Sequence, residues 1–132
     1  MSFISNLEIE GNSYKVLHSS FNFNQSVGSN LKPSGKPQGG ILNVTLELDK
    51  NTDFFYWMIN SSITKDGSLV FYNRDAMSRQ ITLDFTNAFC TNLTGVYDAH
   101  NNEPLKISLS IVAETININN EVEHINNWNG NV

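Results

Sequence analysis

Leu42, Val44, Leu46 and Leu48 alternate with Asn43, Thr45 and Glu47, and a period of two tightly limits what this stretch can become. Alternate side chains of an extended chain point to opposite faces, so this is a half-buried strand with one apolar and one polar side. Ile81, Leu83 and Phe85 against Thr82, Asp84 and Thr86 repeat the pattern, as do Leu105, Ile107, Leu109, Ile111 and Ala113 against Lys106, Ser108 and Ser110. Strands of this kind are antiparallel, each with a single face on the core. Their other faces carry mostly small uncharged groups. Such a face suits either an ordinary polar exterior or the wall of a wide, water-filled channel, and the pattern fixes a face without saying what it meets.

The remaining strands follow from the same logic. Phe3, Leu7 and Ile9 share one face ahead of Glu10-Gly11-Asn12-Ser13, which supplies the Gly-led two-residue turn of a tight hairpin. In the second strand Tyr14 and Val16 hold even positions and Phe21 and Phe23 odd ones, so a bulge is expected near His18-Ser19-Ser20. Leu69 to Tyr72 is apolar on both faces, with Lys65-Asp66-Gly67 read as a turn opening the strand at Ser68.

Between these strands lies the dense run Phe54-Phe55-Tyr56-Trp57-Met58-Ile59. Periodicity leaves it open as a helix or as a strand buried on both faces. Asn51 or Thr52 as a cap, Asp53 in the first turn and Asn60-Ser61-Ser62 as a stop favour the helix. On a helical wheel Phe54, Phe55, Trp57, Met58 and Ile59 cover roughly 200°, about twice the arc a surface helix needs for its own core. Half of that arc calls for a partner, which makes these five residues the expected subunit interface.

From Val27 to Gly40 no period survives, and a structureless connection of ~14 residues in a small domain tends to be functional or disordered. It holds Lys32 and Lys36 and no acid, while the rest of the chain has six basic residues against thirteen acidic ones. A basic loop on an acidic body invites pairing with another copy of the chain, against the plainer reading of a solvated hairpin tip.

The 132 residues, 39% of them hydrophobic, suit one domain with a real core. A net charge of −5 argues against nucleic acid or an anionic membrane surface as the main partner. No apolar run approaches a membrane span and the N-terminus lacks secretory-signal features, so the expectation is a chain made in the cytoplasm, with no direct membrane insertion. From Ile116 the chain turns Asn-rich, and is expected to end as a last strand fraying into a flexible tail.

Catalytic constellations are not legible. His18, His100 and His124 share no metal-ligand spacing, Cys90 is the single cysteine and reads as a buried strand thiol, and neither metal nor cofactor is expected. Gly35-Lys36 lacks the rest of a phosphate loop, since Asn30 and Pro37 stand where Gly and Ser or Thr are required. Asp66-Gly67 and Arg74-Asp75 are explained as turns before they are explained as acid–base pairs.

A series of short motifs carries a resemblance. Pro33-Ser34-Gly35-Lys36-Pro37-Gln38-Gly39-Gly40, Phe55-Tyr56-Trp57-Met58, Thr64-Lys65-Asp66-Gly67, Val70-Phe71-Tyr72, Arg74-Asp75-Ala76-Met77, and Asp84-Phe85 through Ala88-Phe89-Cys90 occur in order and with compatible spacing. Together they resemble the haemolysin-coregulated-protein (Hcp) family, the tube protein of type VI secretion, in its Bacteroidota-type TssD branch. The likeness runs from about Ser2 to Ile116. It implies a mainly β fold, a small closed antiparallel β-barrel of two sheets with one flanking α-helix, assembling as a hexameric ring. It divides the chain into a tube-protein domain at 1–116 and an Asn-rich C-terminal extension at 117–132.

Further expectations follow from that resemblance. Rings of this family stack into a tube inside a contractile sheath, carry effectors in the lumen and leave the cell with the spike, without a signal peptide. The loop between the second and third strands is a ring-to-ring contact in such proteins, which here singles out Lys32, Pro33, Ser34, Gly35, Lys36 and Pro37. The polar strand faces then supply lumen candidates: Asn43, Thr45, Glu47, Thr82, Asp84, Thr86, Ser108 and Ser110. The rival from another class is a secreted β-sandwich binding module for carbohydrate or surface adhesion, for which Trp128 is the one obvious exposed aromatic. An enzyme fits less well.

Overall fold

The computed structural model describes residues 4–25, 28–32, 38–47, 52–73, 78–100 and 105–126. Among these residues, seven strands and one helix follow in the order β1 (Ser5–Ile9), β2 (Asn12–Asn24), β3 (Gln38–Glu47), α1 (Asp53–Ile59), β4 (Lys65–Tyr72), β5 (Arg79–Val96), β6 (Lys106–Ile118) and β7 (Val122–Ile125). The strands run β3-β2-β1-β4-β5-β6-β7, and an additional β3–β6 pairing closes the first six into an antiparallel barrel. The two sheets implied by the family are thus, in hydrogen-bonding terms, one sheet curled onto itself.

Local chemistry accounts for the joints. Glu10 and Gly11 both take positive φ, 54° and 79°, and form the two-residue turn between Ile9 and its partner Asn12. The expected bulge in β2 falls at Leu17, between Val16↔Leu46 and His18↔Thr45. A second irregularity lies at Gly39-Gly40, where a Cβ on Gly39 would meet the Asn22 carbonyl oxygen at 2.5 Å. Only glycine tolerates that approach. Gly39 and Gly40 belong to β3, so the β2–β3 connection is shorter than the sequence reading of Val27 to Gly40; Leu48, Phe3, Asn51 and Arg74-Asp75 lie outside the described residues.

The barrel interior is filled by the alternating apolar faces. Leu42, Val44, Leu46, Leu83, Phe85, Ile107, Leu109, Ile111 and Ala113 are all buried, with Leu7, Ile9 and Leu69 opposite them, whereas Leu105 at the strand entry is exposed. In β5 the phase slips after Phe85 so that Ala88 and Cys90 point inward; Asn87, at φ 53°, is the hinge of that slip. Sequence periodicity loses the strand there, although it continues for nine more residues to Val96.

Two readings are corrected. Lys65-Asp66-Gly67 is not a turn but the first part of β4, pairing with Ala88 and Phe85 across an irregularity at Asp66, whose carboxylate accepts from the Asn87 amide at 2.8 Å. The Asn-rich stretch after Ile116 is not a fraying end within the described residues. β6 runs through residue 116 to Ile118, Asn119 and Asn120 take φ 53° and 56° in a tight turn, and β7 returns along Thr115–Ile118. Asparagine tolerates the left-handed region and builds such turns, so here the composition marks a hairpin rather than disorder.

Candidate functional site

Helix α1 confirms the helical alternative and divides the proposed interface. Thr52 is its N-cap residue without a side-chain capping bond, and the first turn closes from Tyr56 N–H to the Thr52 carbonyl at 3.1 Å. Phe54 and Trp57 are 4% and 1% exposed, and they belong to the protomer's own core, so they are not available to a second subunit. Phe54 meets Tyr14 edge-on at 4.9 Å and Trp57 Nε1 donates to the Ala88 carbonyl at 3.2 Å. Met58 packs against that core, while Phe55, Tyr56 and Ile59 remain exposed, Ile59 at 82%. The apolar arc exceeds one core's need, but three of its five members, Phe54, Trp57 and Met58, serve that core.

Among the described residues, β2 beyond Lys15 pairs with β3 alone, and β5 beyond Ala88 pairs with β6 alone. The strands β2-β3-β6-β5 therefore form a four-stranded stretch with an open edge on each side. A groove runs beside each edge. One, of about 270 Å³, is lined by Ile4, Ser5, Val16, Leu17, His18 and Phe71. The other, of about 460 Å³, lies between α1 and β5, lined by Trp57, Met58, Phe89, Cys90, Thr91 and Val112.

The outer face of this stretch carries five of the eight lumen candidates in contiguous rows. Ser20, Asn43, Ser110 and Asn92 align across β2, β3, β6 and β5; His18, Thr45, Ser108 and Thr94 form the next row; Glu47 stands beside Lys106 and Val96 in the third. Ser110 Oγ donates to Asn43 Oδ1 at 2.8 Å, and the Thr45 and Ser108 hydroxyls bond at 2.9 Å. Thr82, Asp84 and Thr86 lie elsewhere. Asp84 is about eight residues, or roughly 27 Å, along β5 from Asn92, between Ser68 and Asn117, and accepts a hydrogen bond from Ser68. The Thr82 amide bonds Asn119 Oδ1.

Asn92 and Thr94 were missed because the phase slip at Asn87 hides the second half of β5 from a period-of-two reading. Of the loop candidates only Lys32 is described, at the end of a turn in which its amide bonds Asn30 Oδ1 at 3.1 Å and its carbonyl accepts from Gly28. Pro33, Ser34, Gly35, Lys36 and Pro37 lie outside the described residues, as does Trp128. Cys90 is buried, and desolvation pushes its thiol pKa above the ordinary 9.0. No group of three metal-ligating side chains occurs among the described residues. No helix there is long and apolar enough to cross a membrane.

A family model for the haemolysin-coregulated protein Hcp (TssD) matches residues 1–129. The chain belongs to the Hcp (TssD) family. Hcp1 from Flavobacterium johnsoniae is similar at 32% identity over 93% of this chain and 99% of that one, with a TM-score of 0.85. Hcp1 from Salmonella typhimurium shares the fold at 15% identity and a TM-score of 0.73, covering 89% and 86% of the two chains. A sheath/tube terminator of an extracellular contractile injection system shares it at 19% identity and 0.55, covering 86% and 91%. No curated protein is a significant match. The Hcp match extends past Ile116, where the motif likeness stops, and takes in β7.

Proposed function

We propose that six copies of this Hcp-family chain, a secretion-tube subunit, close into a ring by pairing the open edge of β5 with the open edge of β2 in the next copy. The observation that carries this is the pair of open edges flanking the polar stretch. An exposed strand edge offers unpaired amides and carbonyls and is a liability unless covered. Strand directions alternate through β2, β3, β6 and β5, so β5 of one copy meets β2 of the next antiparallel, and the rule holds around any number of copies.

Twenty-four strands at about 4.8 Å spacing give a circumference of roughly 115 Å and a backbone diameter of roughly 37 Å before tilt. That bore admits a small folded domain. Its wall is the face bearing Asn43, Thr45, Glu47, Ser108 and Ser110, joined by Asn92 and Thr94; Thr82, Asp84 and Thr86 are not part of it. Apart from Glu47, which stands beside Lys106, these are small neutral hydroxyl and amide groups that hold water and bind no passenger tightly. The exposed Phe55 and Ile59, on the helix whose Trp57 and Met58 line the groove, stand at the subunit boundary, and the β2–β3 connection with Lys32 and Lys36 joins ring to ring.

The role is structural, without a catalytic step. Sheath, spike and effectors are the further partners, and the chain is made in the cytoplasm and leaves through the apparatus. The secreted β-sandwich module gives way to the family assignment. Light scattering with electron microscopy of the purified chain tests the ring: six-fold rings are expected at micromolar concentration, and a persistent monomer refutes the proposal.

A further inference from the structure

Along one edge, β6 pairs with β3 from Lys106 to Val112 and with β7 from Thr115 to Ile118, which leaves Ala113 and Glu114 opposite neither strand. Asn126 fills that gap. Its backbone amide donates to the Glu114 carbonyl at 2.7 Å, and its side-chain Nδ2 donates to the carbonyls of Ala113 and Gly39, both at 2.9 Å. Two carbonyl acceptors around Nδ2 fix the amide orientation, so Oδ1 faces His124 Nε2 at 3.0 Å and that nitrogen carries the proton. The His124 ring in turn meets Phe23 edge-on at 5.2 Å. Gly39 and Phe23 pair with each other near the outer end of the β2–β3 hairpin, one pair short of Asn24 and Gln38, from which the connection departs.

We propose that Asn126 is a positioning residue for that connection. Its carboxamide continues the β6 ladder across the gap and ties the hairpin's outer end to the barrel, so β7 sets where the connection leaves the rim. This rests on the reading that the connection joins ring to ring. Aspartate is nearly isosteric but has no donor, and it would set a carboxylate against two carbonyl oxygens.

The test uses the full-length Asn126→Asp chain, with hydrogen exchange on rings and electron microscopy of stacking. Amide exchange at Phe23, Gly39 and Gly40 is expected to rise about tenfold or more. Ile107, Leu109 and Ile111 should stay protected, rings should persist and stacking should fall. Unchanged exchange at the hairpin end overturns the proposal, as does a rise spread over the whole barrel, or normal stacking despite local loosening. Should Asn126→Asp fail to fold, His124→Leu removes the orienting donor together with the ring contact to Phe23, and His124→Gln, which lacks the ring but keeps an N–H, isolates the donor and is expected to restore protection. A chain with Lys32→Glu and Lys36→Glu separates the premises: normal stacking there refutes the ring-to-ring reading, whereas unaltered exchange in Asn126→Asp refutes the role of Asn126 alone.

Discussion

The indole N–H of Trp57 donates to the carbonyl of Ala88, at the point where β4 stops pairing with β5. The helix thus docks on β5 at the level where β4 begins, and it closes the core beside the open edge. Removing the indole costs both packing and a satisfied carbonyl. Trp57→Ala is expected to lose about 3–5 kcal/mol of stability and Trp57→Phe roughly 1–3 kcal/mol, the smaller loss reflecting the orphaned Ala88 carbonyl. Urea unfolding at matched concentration measures both; equal stability of Trp57→Ala and the parent chain would contradict the core role.

Edge pairing predicts which cysteines can meet. Within one protomer β2 and β5 are separated by β3 and β6, about 14 Å apart at three strand spacings, beyond the ~7 Å limit for a disulfide. Single chains carrying one cysteine at His18, Ser20 or Asn22 and another at Asn92 or Thr94, on a Cys90→Ser background, should therefore cross-link only between copies. Oxidation is expected to yield a ladder reaching the hexamer on denaturing gels for at least one pair in register. No ladder from any pair would exclude β2–β5 contact.

Ring-to-ring contact through the β2–β3 connection makes a charge prediction. Lys32 and Lys36 each contribute only about 0.2–1 kcal/mol as exposed pairs, but a ring-to-ring contact repeats them six times. Lys32→Glu with Lys36→Glu should leave hexamers intact and abolish stacking and export. Long tubes and normal export from the double variant would refute the ring-to-ring reading of the connection. Raising salt should weaken stacking of the parent chain in the same direction.

Burial raises the Cys90 thiol pKa, which sets the sign of two effects. Since the unfolded thiol ionises near 9.0 and the folded one higher, stability is unaffected below that pH and falls as pH rises through the window between the two values. Below pH 8 the native thiol should react with a bulky disulfide reagent far more slowly than the urea-unfolded chain, and accelerate as pH passes 9. Equal rates for native and unfolded chain at pH 7.5 would show the thiol to be open. Cys90→Ser is expected to be mildly destabilising and to flatten the alkaline decline.

Local rules in the sequence determined the strands with a steady period of two, the Glu10-Gly11 turn and the bulge in β2, and favoured the helix at Asp53–Ile59 over a strand, because each depends on residues a few positions apart. The motif series reached the family for the same reason. Tertiary structure alone decided the rest. Phe54 and Trp57 are apolar in the same way as Phe55 and Ile59, and only the docking of α1 against Tyr14 and Ala88 separates core from surface. Asn43 and Asp84 read alike along their strands, yet the β3–β6 closure gathers Asn43, Ser110 and Asn92 into one wall and leaves Asp84 beside Ser68 and Asn117. Asn119 and Asn120 look like the start of a tail until β7 turns back on β6. A period of two specifies which side chains share a face, but the partner of that face is set by pairings between residues far apart in the chain, and local pattern carries no record of them.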